Sequence, residues 1–303
     1  MAYFSSIQEL IGNTPIVKLA HISLPAGVQL FAKLELYNPS GCIKDRIGKY
    51  MLAAAEKTGK LKPGGTIVEG TAGSTGLGIA LAALNKGYRV IFVIPDKFSA
   101  EKQILLRALG AEIINTPRAD GMLGATAKAE ELRRQIPNAI SFGQFTNPAN
   151  PLAHYETTGP EIYRDLAGKI DYFIAGAGSG GTFSGIVRYL KEKNPAIKSI
   201  LADPVGSTMG GGQHGDYDIE GIGNDFIADT MDMSLVDEVI KITDKEAFSG
   251  SRVLARQEGI FAGSSSGAAL VAAQKAAAEG KRGNFVIVLP DRGDRYFSKK
   301  LYE

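Results

Sequence analysis

Short apolar runs rich in β-branched residues alternate with longer helical stretches along most of this 303-residue chain. The run VIFVI, residues 90–94, is apolar at every position, and a helical stretch follows it. Strands that alternate with helices need crossover connections, and an unbroken apolar strand indicates burial on both faces. The pattern therefore predicts an α/β protein with mostly parallel sheets flanked by helices.

The alternation occurs in two series, and no low-complexity linker separates them. We predict two α/β domains that face each other across a cleft, with the active site in that cleft. Residues 40–145 would form a smaller, mobile domain. Residues 1–39 and 146–303 would form a larger domain that carries the most glycine-rich turn.

Composition excludes several classes of function. A net charge of +2 gives no electrostatic reason to expect nucleic acid or a membrane surface as a partner. No apolar run approaches the roughly 20 residues of a membrane span, and no secretory start is present. We therefore expect a cytoplasmic protein. One cysteine and scattered histidines predict neither a disulfide framework nor a metal site.

The stretch NPSGCIKDR, residues 38–46, places Lys44 where a loop enters a helix. Proline and glycine are typical of the loop, and the residues after Lys44 have helical spacing. The positive end of a helix, together with partial burial, lowers the pKa of an amine and makes it a better Schiff-base nucleophile. The alternative is a solvated lysine in a first helical turn.

The most glycine-rich turn is GAGSGGT, residues 176–182, between a predicted strand and a predicted helix. Its glycines allow successive backbone N–H groups to converge at a helix N-terminus, which suits an anion such as a phosphate. The turn lacks the Gly-Lys-Ser/Thr ending of a nucleoside triphosphate loop, and it matches the dinucleotide-binding pattern poorly. A tight structural turn without a ligand is the alternative.

Two further glycine-containing turns also precede predicted helices. In EGTAGSTG, residues 69–76, hydroxyl and N–H groups could bind a carboxylate. In GSSSG, residues 263–267, three serines come just before an alanine-rich helix. Either turn could instead only cap its helix, since serine and threonine commonly satisfy the first free N–H groups.

Six motifs occur in order along nearly the whole chain: PSGCIKDR, EGTAGSTG, GAGSGGT, EGIG, GSSSGAA and PDRGDRY. Together they resemble the cysteine synthase (O-acetylserine sulfhydrylase) and cystathionine β-synthase family of fold type II pyridoxal-phosphate enzymes. The resemblance implies pyridoxal 5'-phosphate as cofactor, a small amino acid as substrate and a homodimer.

The resemblance also implies a role for individual residues. Lys44 would form the Schiff base with the cofactor, and Ser265 would bind its pyridine nitrogen. The cofactor's phosphate would be bound by Gly178, Ser179, Gly180, Gly181 and Thr182. The substrate carboxylate would be bound by Thr71, Ala72, Gly73, Ser74, Thr75 and Gln144. Ser74 would also approach the phenolic oxygen of the cofactor. The mouth of the substrate site would be formed by Gly221 and Gly223.

Three positions depart from the family pattern. Gly70 replaces a proline, which predicts a looser loop because the restriction of φ is lost. Ser74 replaces an asparagine and has a shorter reach. Cys42 replaces a serine, and a buried packing residue is the preferred interpretation over a reactive thiol.

Asp232 lies between two methionines, shortly after EGIG. Apolar surroundings near an active site would raise the pKa of this carboxyl, so that it could act as a base on water or a thiol. The alternative is an exposed acid in a loop.

These features predict a β-replacement or β-elimination enzyme that passes through an aminoacrylate and interconverts cysteine, serine and sulfide. The favoured reaction consumes L-cysteine, releases hydrogen sulfide and uses water, which gives L-serine, or a thiol as acceptor. An ordinary cysteine synthase that uses O-acetylserine and sulfide is the alternative. A non-catalytic partner that binds a peptide carboxylate is an alternative from another class, and a dehydrogenase lacks the nicotinamide fingerprint.

Overall fold

The computed structural model describes residues 3–71, 73–96 and 98–303. The predicted α/β architecture is confirmed. The strands in the described residues are β1 (Ile16–Lys18), β2 (Val28–Leu34), β3 (Thr66–Gly70), β4 (Arg89–Pro95), β5 (Glu112–Thr116), β6 (Ala139–Ile140), β7 (Tyr172–Gly176), β8 (Lys198–Pro204), β9 (Glu238–Ile242) and β10 (Gly283–Leu289).

The α-helices in the same part of the chain are α1 (Lys44–Lys57), α2 (Ser74–Ala83), α3 (Ala100–Ala108), α4 (Gly121–Gln135), α5 (Ala149–Ala153), α6 (Gly159–Asp165), α7 (Gly181–Lys193), α8 (Asp244–Glu258) and α9 (Ser264–Ala278). A π-helical turn, His154–Thr158, joins α5 to α6. Short 3₁₀ segments are Ile7–Leu10, Glu35–Tyr37, Arg118–Asp120, Met233–Leu235 and Gly293–Lys299. None of the helices described has both the length and the apolar character that crossing a membrane requires.

The strands form two sheets. The larger has six strands in the order β1-β2-β10-β7-β8-β9, and only β1 is antiparallel to its neighbour. The smaller has four parallel strands in the order β5-β4-β3-β6. The sheets thus come from different parts of the chain, residues 16–34 with 172–289 and residues 66–140. The domain boundaries themselves stay a prediction.

Burial on both faces explains why β4 is apolar throughout. Phe92 and Ile94 belong to a core that also contains residues of α1 and α2. Ile91 and Val93 point the other way, into a core formed with α4. Successive side chains of a strand lie on opposite faces, so a sheet covered on both sides needs an apolar residue at each position.

Candidate active site

Lys44 begins α1 at the carboxyl end of β10. The loop before it turns at Gly41, whose φ is +75°, and the N–H of Ile43 donates to the carbonyl oxygen of Pro290 at 2.8 Å. Cys42 forms a backbone bridge with Asp291. The loop is therefore attached to the end of β10, and Lys44 lies at the loop-to-helix junction, as predicted.

The surroundings of Lys44 favour its neutral amine. Burial lowers the pKa of Lys44, and the nearby Cys42 and Asp291 only partly oppose this. Burial also raises the pKa of the Cys42 thiol to about 11, so the thiol stays protonated at neutral pH. Cys42 is 2% exposed and belongs to an apolar core, which agrees with its interpretation as a packing residue.

A close contact between two helices positions the start of α1 beside the start of α2. A Cβ added to Gly78 would lie 2.0 Å from the carbonyl oxygen of Lys44, and one added to Gly48 would lie 2.3 Å from the carbonyl of Gly78. The two backbones therefore touch at these glycines. Because of this contact, Lys44 and Ser74 line one cavity.

The turn after β7 is packed so tightly that side chains cannot replace its glycines. A Cβ on Gly178 would lie 2.6 Å from the carbonyl oxygen of Gly221. One on Gly180, where φ is +84°, would lie 2.3 Å from Met231 Cβ. One on Gly181 would lie 2.1 Å from Asn150 Oδ1. The turn is thus held between neighbouring segments and leads directly into α7.

This turn offers free donors to an anion. In the described part of the chain, no acceptor pairs with the backbone N–H of Gly178, Ser179 or Gly180. Unpaired donors in a largely buried turn are rare without a ligand, and the N-terminus of α7 adds a favourable dipole. These donors fit a phosphate group.

One cavity brings many of the predicted residues together. Lys44, Ser74, Gly178, Ser179, Gly180, Thr182, Gly221 and Ser265 all line it. Cys42 and Asp291 line it as well. The hydroxyl of Ser265, at the start of α9, has no hydrogen-bond partner among the described residues and is available to a ring nitrogen. An amine, an anion cradle and a free hydroxyl in one cavity fit pyridoxal phosphate.

The predicted substrate loop lies beside this cavity. Thr71 accepts from the N–H groups of Gly73 at 3.0 Å and Gly76 at 3.3 Å, so its hydroxyl caps α2. Thr75 donates to Gln144 Oε1 at 2.6 Å, which joins two predicted substrate residues. Several of the described residues predicted for the site do not line the cavity itself, namely Thr71, Gly73, Thr75, Gln144, Gly181 and Gly223. Ala72 lies outside the described residues.

Glu69 is a residue whose importance the sequence did not indicate. It ends β3 beside the loop, and its carboxylate accepts from Ser141 Oγ at 2.7 Å and from three backbone N–H groups, those of Phe142, Gly143 and Gln144, at 2.9 to 3.2 Å. Its side chain therefore fixes the segment that carries Gln144. The only signal of its importance was a glutamate within β3, a strand of five buried residues.

The structure gives Gly70 a role that differs from the predicted one. A Cβ at Gly70 would lie 2.9 Å from Thr126 Cα and 3.0 Å from the carbonyl carbon of Ala125. The glycine thus permits close packing of β3 against α4. The interpretation of Gly70 as a residue that loosens the loop is not supported by this packing.

The prediction that Asp232 lies in apolar surroundings is wrong. Its side chain is 35% exposed, is not among the cavity-lining residues described, and lies 3.3 Å from Arg188 Nη2. It caps the short helix Met233–Leu235 by accepting from the N–H of Ser234. Hydrogen bonds from Ser234 and the charge of Arg188 lower the pKa of Asp232, where the prediction required a raised one. The alternative, an exposed acid in a loop, is the one that agrees with these contacts.

A buried network of charges, also missed from the sequence, anchors the start of α1. Arg46 donates two hydrogen bonds to Glu35 and two to Glu161, all at 2.7 Å. Lys33 lies 2.7 Å from Glu161 Oε2. Such bidentate pairs have narrow geometry, so they fix the position of the helix two residues after Lys44. No cluster of three or more histidine, cysteine or acidic side chains in the described ranges could hold a metal ion.

Known proteins resemble this chain over nearly its whole length. The model of the family described as pyridoxal-phosphate dependent enzyme matches residues 7–291. The chain is 50% identical to an O-acetylserine-dependent cystathionine β-synthase of Bacillus subtilis, over 100% of this chain and 99% of that one.

Two solved structures also resemble the chain. The crystal structure of an O-acetylserine-dependent cystathionine β-synthase from Helicobacter pylori has a TM-score of 0.96 and 45% identity over the full length of both chains. That of a hydrogen sulfide-producing enzyme from Fusobacterium nucleatum has a TM-score of 0.94 and 40% identity, over 97% of this chain and 100% of the other.

Proposed function

This chain belongs to the pyridoxal-phosphate-dependent enzymes, in the cysteine synthase and cystathionine β-synthase family, and on that premise we propose that it exchanges the β-substituent of L-cysteine for a thiol and releases sulfide. The observation that carries the reaction class is the single cavity that contains Lys44, the turn after β7 and Ser265. The identity of the acceptor rests on a second observation, the position of the acidic side chains.

Pyridoxal phosphate, when bound, supplies an electron sink for charge that develops on the substrate's Cα. The residues of this chain bind, orient and move protons. The Lys44 amine has a lowered pKa and lines the cavity, so it is suited to holding the cofactor and to taking the proton from Cα.

The turn after β7 is suited to binding the cofactor's phosphate. Its free N–H groups and the positive end of α7 complement a dianion. Ser265 supplies a neutral hydroxyl for the pyridine nitrogen, and unlike an aspartate it does not require that nitrogen to be protonated. We therefore assign cofactor binding to Lys44, Ser74, Ser265 and the residues 178–182.

The loop at the start of α2 is suited to binding the substrate carboxylate. The hydrogen bond from Thr75 to Gln144 links two groups that would bind it, and the N-terminus of α2 favours a negative charge. Closing this loop over the substrate would keep stray water out. Gly221 also lines the cavity and would leave room at the substrate mouth, since a Cβ added there would have no neighbour within 4 Å.

A thiol acceptor is favoured over water because it needs only a weak base. Asp291 is the one acidic residue among the described residues that line the cavity. Burial raises the pKa of Asp291 and so makes its carboxylate a stronger base, but a carboxylate is still far weaker than hydroxide, and Tyr296 already donates to its Oδ2 at 2.5 Å. Water is a very weak acid and needs a strong base, whereas a thiol with a pKa of about 8.5 ionises readily. The exposed position of Asp232 removes the other candidate base.

The likeness to a hydrogen sulfide-producing enzyme supports L-cysteine as the donor, and the likeness to O-acetylserine-dependent enzymes supports a thiol as the acceptor. O-Acetylserine as donor is the second candidate, because the same relatives are named for it. We also propose that the chain works in the cytoplasm and as a homodimer. Light scattering of the purified protein checks the homodimer.

The test is to incubate the cofactor-loaded protein with L-cysteine, alone and with homocysteine, and to quantify all products. We expect sulfide with lanthionine from cysteine alone, and cystathionine when homocysteine is added. Sulfide with serine would contradict the thiol acceptor, and sulfide with pyruvate would indicate elimination only. Cysteine formed from O-acetylserine and sulfide, without sulfide release from cysteine, would return the chain to cysteine synthesis. Absence of the yellow cofactor band would support the non-catalytic alternative.

A further inference from the structure

A buried histidine links two threonines behind the turn that follows β7. His154 begins the π-helical turn and is 0% exposed. Its Nδ1 lies 2.9 Å from Thr158 Oγ1, and its Nε2 lies 3.0 Å from Thr182 Oγ1. Thr182 belongs to the first turn of α7 and lines the cavity. The histidine is thus one hydrogen bond away from the proposed phosphate site.

The ring of His154 is neutral. Burial lowers its pKa well below the ordinary value, and the positive charge of Arg46 lowers it further, while Glu161 opposes this weakly. A neutral imidazole has one nitrogen that donates and one that accepts. The direction of the two hydrogen bonds therefore depends on the tautomer.

Hydrogen-bond satisfaction selects one tautomer. Thr158 is completely buried, and among the described residues its hydroxyl has no hydrogen-bond partner other than His154. If Nδ1 donated to Thr158, the hydroxyl hydrogen would be left buried and unpaired, which is costly. Thr158 therefore donates to Nδ1, and Nε2 donates to Thr182 Oγ1. The hydroxyl hydrogen of Thr182 is then free to point into the cavity.

Asn150 lies one helical turn before His154, and it donates a hydrogen bond to the Ser179 hydroxyl as His154 does to that of Thr182. Its Nδ2 lies 2.8 Å from the carbonyl oxygen of Gln144 and 2.9 Å from Ser179 Oγ. A carbonyl only accepts, so the atom that contacts both partners is the amide nitrogen, and it donates to both. The hydrogen of the Ser179 hydroxyl is likewise left free.

We propose that Asn150 and His154 are positioning residues that hold the hydroxyls of Ser179 and Thr182 as hydrogen-bond donors toward the phosphate of the cofactor. A phosphate dianion offers only acceptors, so a hydroxyl whose hydrogen was used elsewhere would face it with a lone pair. This inference rests on the proposed function, because it requires pyridoxal phosphate in the cavity.

The test compares binding of pyridoxal phosphate with binding of pyridoxal, which lacks the phosphate. His154→Phe removes the donor and keeps a ring, and we expect it to weaken pyridoxal phosphate about tenfold to a hundredfold with little effect on pyridoxal. His154→Gln keeps one donor and one acceptor and should restore most of the affinity. His21→Phe, at a residue whose side chain is 74% exposed, is the control.

A double-mutant cycle and a spectrum complete the design. Thr182→Val should weaken pyridoxal phosphate at least as much as His154→Phe, and the double variant should lose little more than Thr182→Val alone, because His154 acts through the Thr182 hydroxyl. The ³¹P resonance of the bound cofactor should shift in His154→Phe and not in His154→Gln. Asn150→Leu and Ser179→Ala should behave as a second such pair.

Two results would overturn the inference. Equal losses for pyridoxal phosphate and pyridoxal would mean that His154 only stabilises the fold, and additive losses in the cycle would mean that it acts apart from Thr182. Should His154→Phe fail to fold, Thr182→Val and His154→Gln still decide between these outcomes. A wild-type chain that binds the cofactor but replaces no β-substituent would contradict the proposed function alone. A wild-type chain that binds no pyridoxal phosphate would overturn both.

Discussion

The ammonium group of Lys102 lies 2.8 Å from the carboxylate of Glu220 in the interior of the protein. The same ammonium lies 3.2 Å from Tyr296 Oη, and both charged side chains are less than a tenth exposed. Lys102 belongs to α3, which packs near the four-stranded sheet, whereas Glu220 follows β8 of the six-stranded sheet. The stem of Lys102 also packs against Gly73, so the pair connects both sheets to the substrate loop.

Replacing Lys102 with methionine should leave the carboxylate of Glu220 buried without its partner. We expect a loss of about 3 to 5 kcal/mol in the free energy of unfolding, measured by urea denaturation. The substrate KM should change little, because methionine keeps the part of the stem that packs against Gly73. Lys128→Met breaks an exposed ion pair with Glu131 and should leave the free energy of unfolding nearly unchanged. Similar losses for both variants would contradict the role given to Lys102.

Gly78→Ala tests the contact that positions Lys44. A methyl group would lie 2.0 Å from the Lys44 carbonyl oxygen, so α1 and α2 would have to separate. We expect a loss of stability of about 1 to 3 kcal/mol and, for a displacement of about 1 Å, a fall of about a hundredfold in kcat. Gly215→Ala, where the nearest atom would be 3.6 Å away, is the control. Unchanged kcat in Gly78→Ala would refute the positioning argument.

The network around Arg46 should make the protein sensitive to acid. Burial alone would raise the pKa of Glu35, but the charge and hydrogen bonds of Arg46, with Lys33, lower it below the ordinary value. The same residues lower the pKa of Glu161 against the effect of its burial. A lowered pKa in the folded state stabilises the fold above the unfolded pKa of about 4.3, and this stabilisation is lost as the pH falls through the folded value.

We therefore expect the free energy of unfolding to decline as the pH falls below about 5. Glu35→Gln should be less stable than wild type at pH 7, and its stability should decline less steeply with acid. Urea unfolding curves at a series of pH values measure both quantities. Parallel declines in the two proteins would show that Glu35 does not carry this dependence.

Gly70→Pro restores the residue that is usual in the family and tests the two interpretations of Gly70. Proline often stabilises a loop by about 0.4 to 1 kcal/mol where its conformation fits. Here the new ring would meet the backbone of α4, so we expect a loss of about 1 to 3 kcal/mol. A gain in thermal stability would support the interpretation of Gly70 as a source of flexibility.

The regular elements were largely predictable because their signals are local. The apolar run 90–94 predicts most of β4, Arg89–Pro95, since burial on both faces leaves no polar position within that run. The antiparallel strand β1 and the two-residue strand β6 are too short to give a pattern. Residues 152–166 have the spacing of one helix, whereas the structure contains α5, a π-helical turn and α6.

The candidate site was predictable where motifs mark its residues, as at Lys44 and the turn after β7, which the structure brings together in one cavity. The supporting residues were not predictable, because a buried histidine or lysine gives no local sign of its partners. His154 and Lys102 contact residues that are 28 and 118 positions away along the chain. Asp232 shows the opposite error. Its two methionine neighbours suggested apolar surroundings, but the side chain turns outward to Arg188.

The most direct test of the account is to find which lysine holds the cofactor. The protein is loaded with pyridoxal phosphate and treated with borohydride, which reduces a carbon–nitrogen double bond to a lysine to a stable single bond, and the labelled peptide is identified by mass spectrometry. We predict that the label is on Lys44. The variant Lys44→Ala should lose both the label and the release of sulfide. A label on another lysine, or an unlabelled protein that still releases sulfide from L-cysteine, would contradict the central claim.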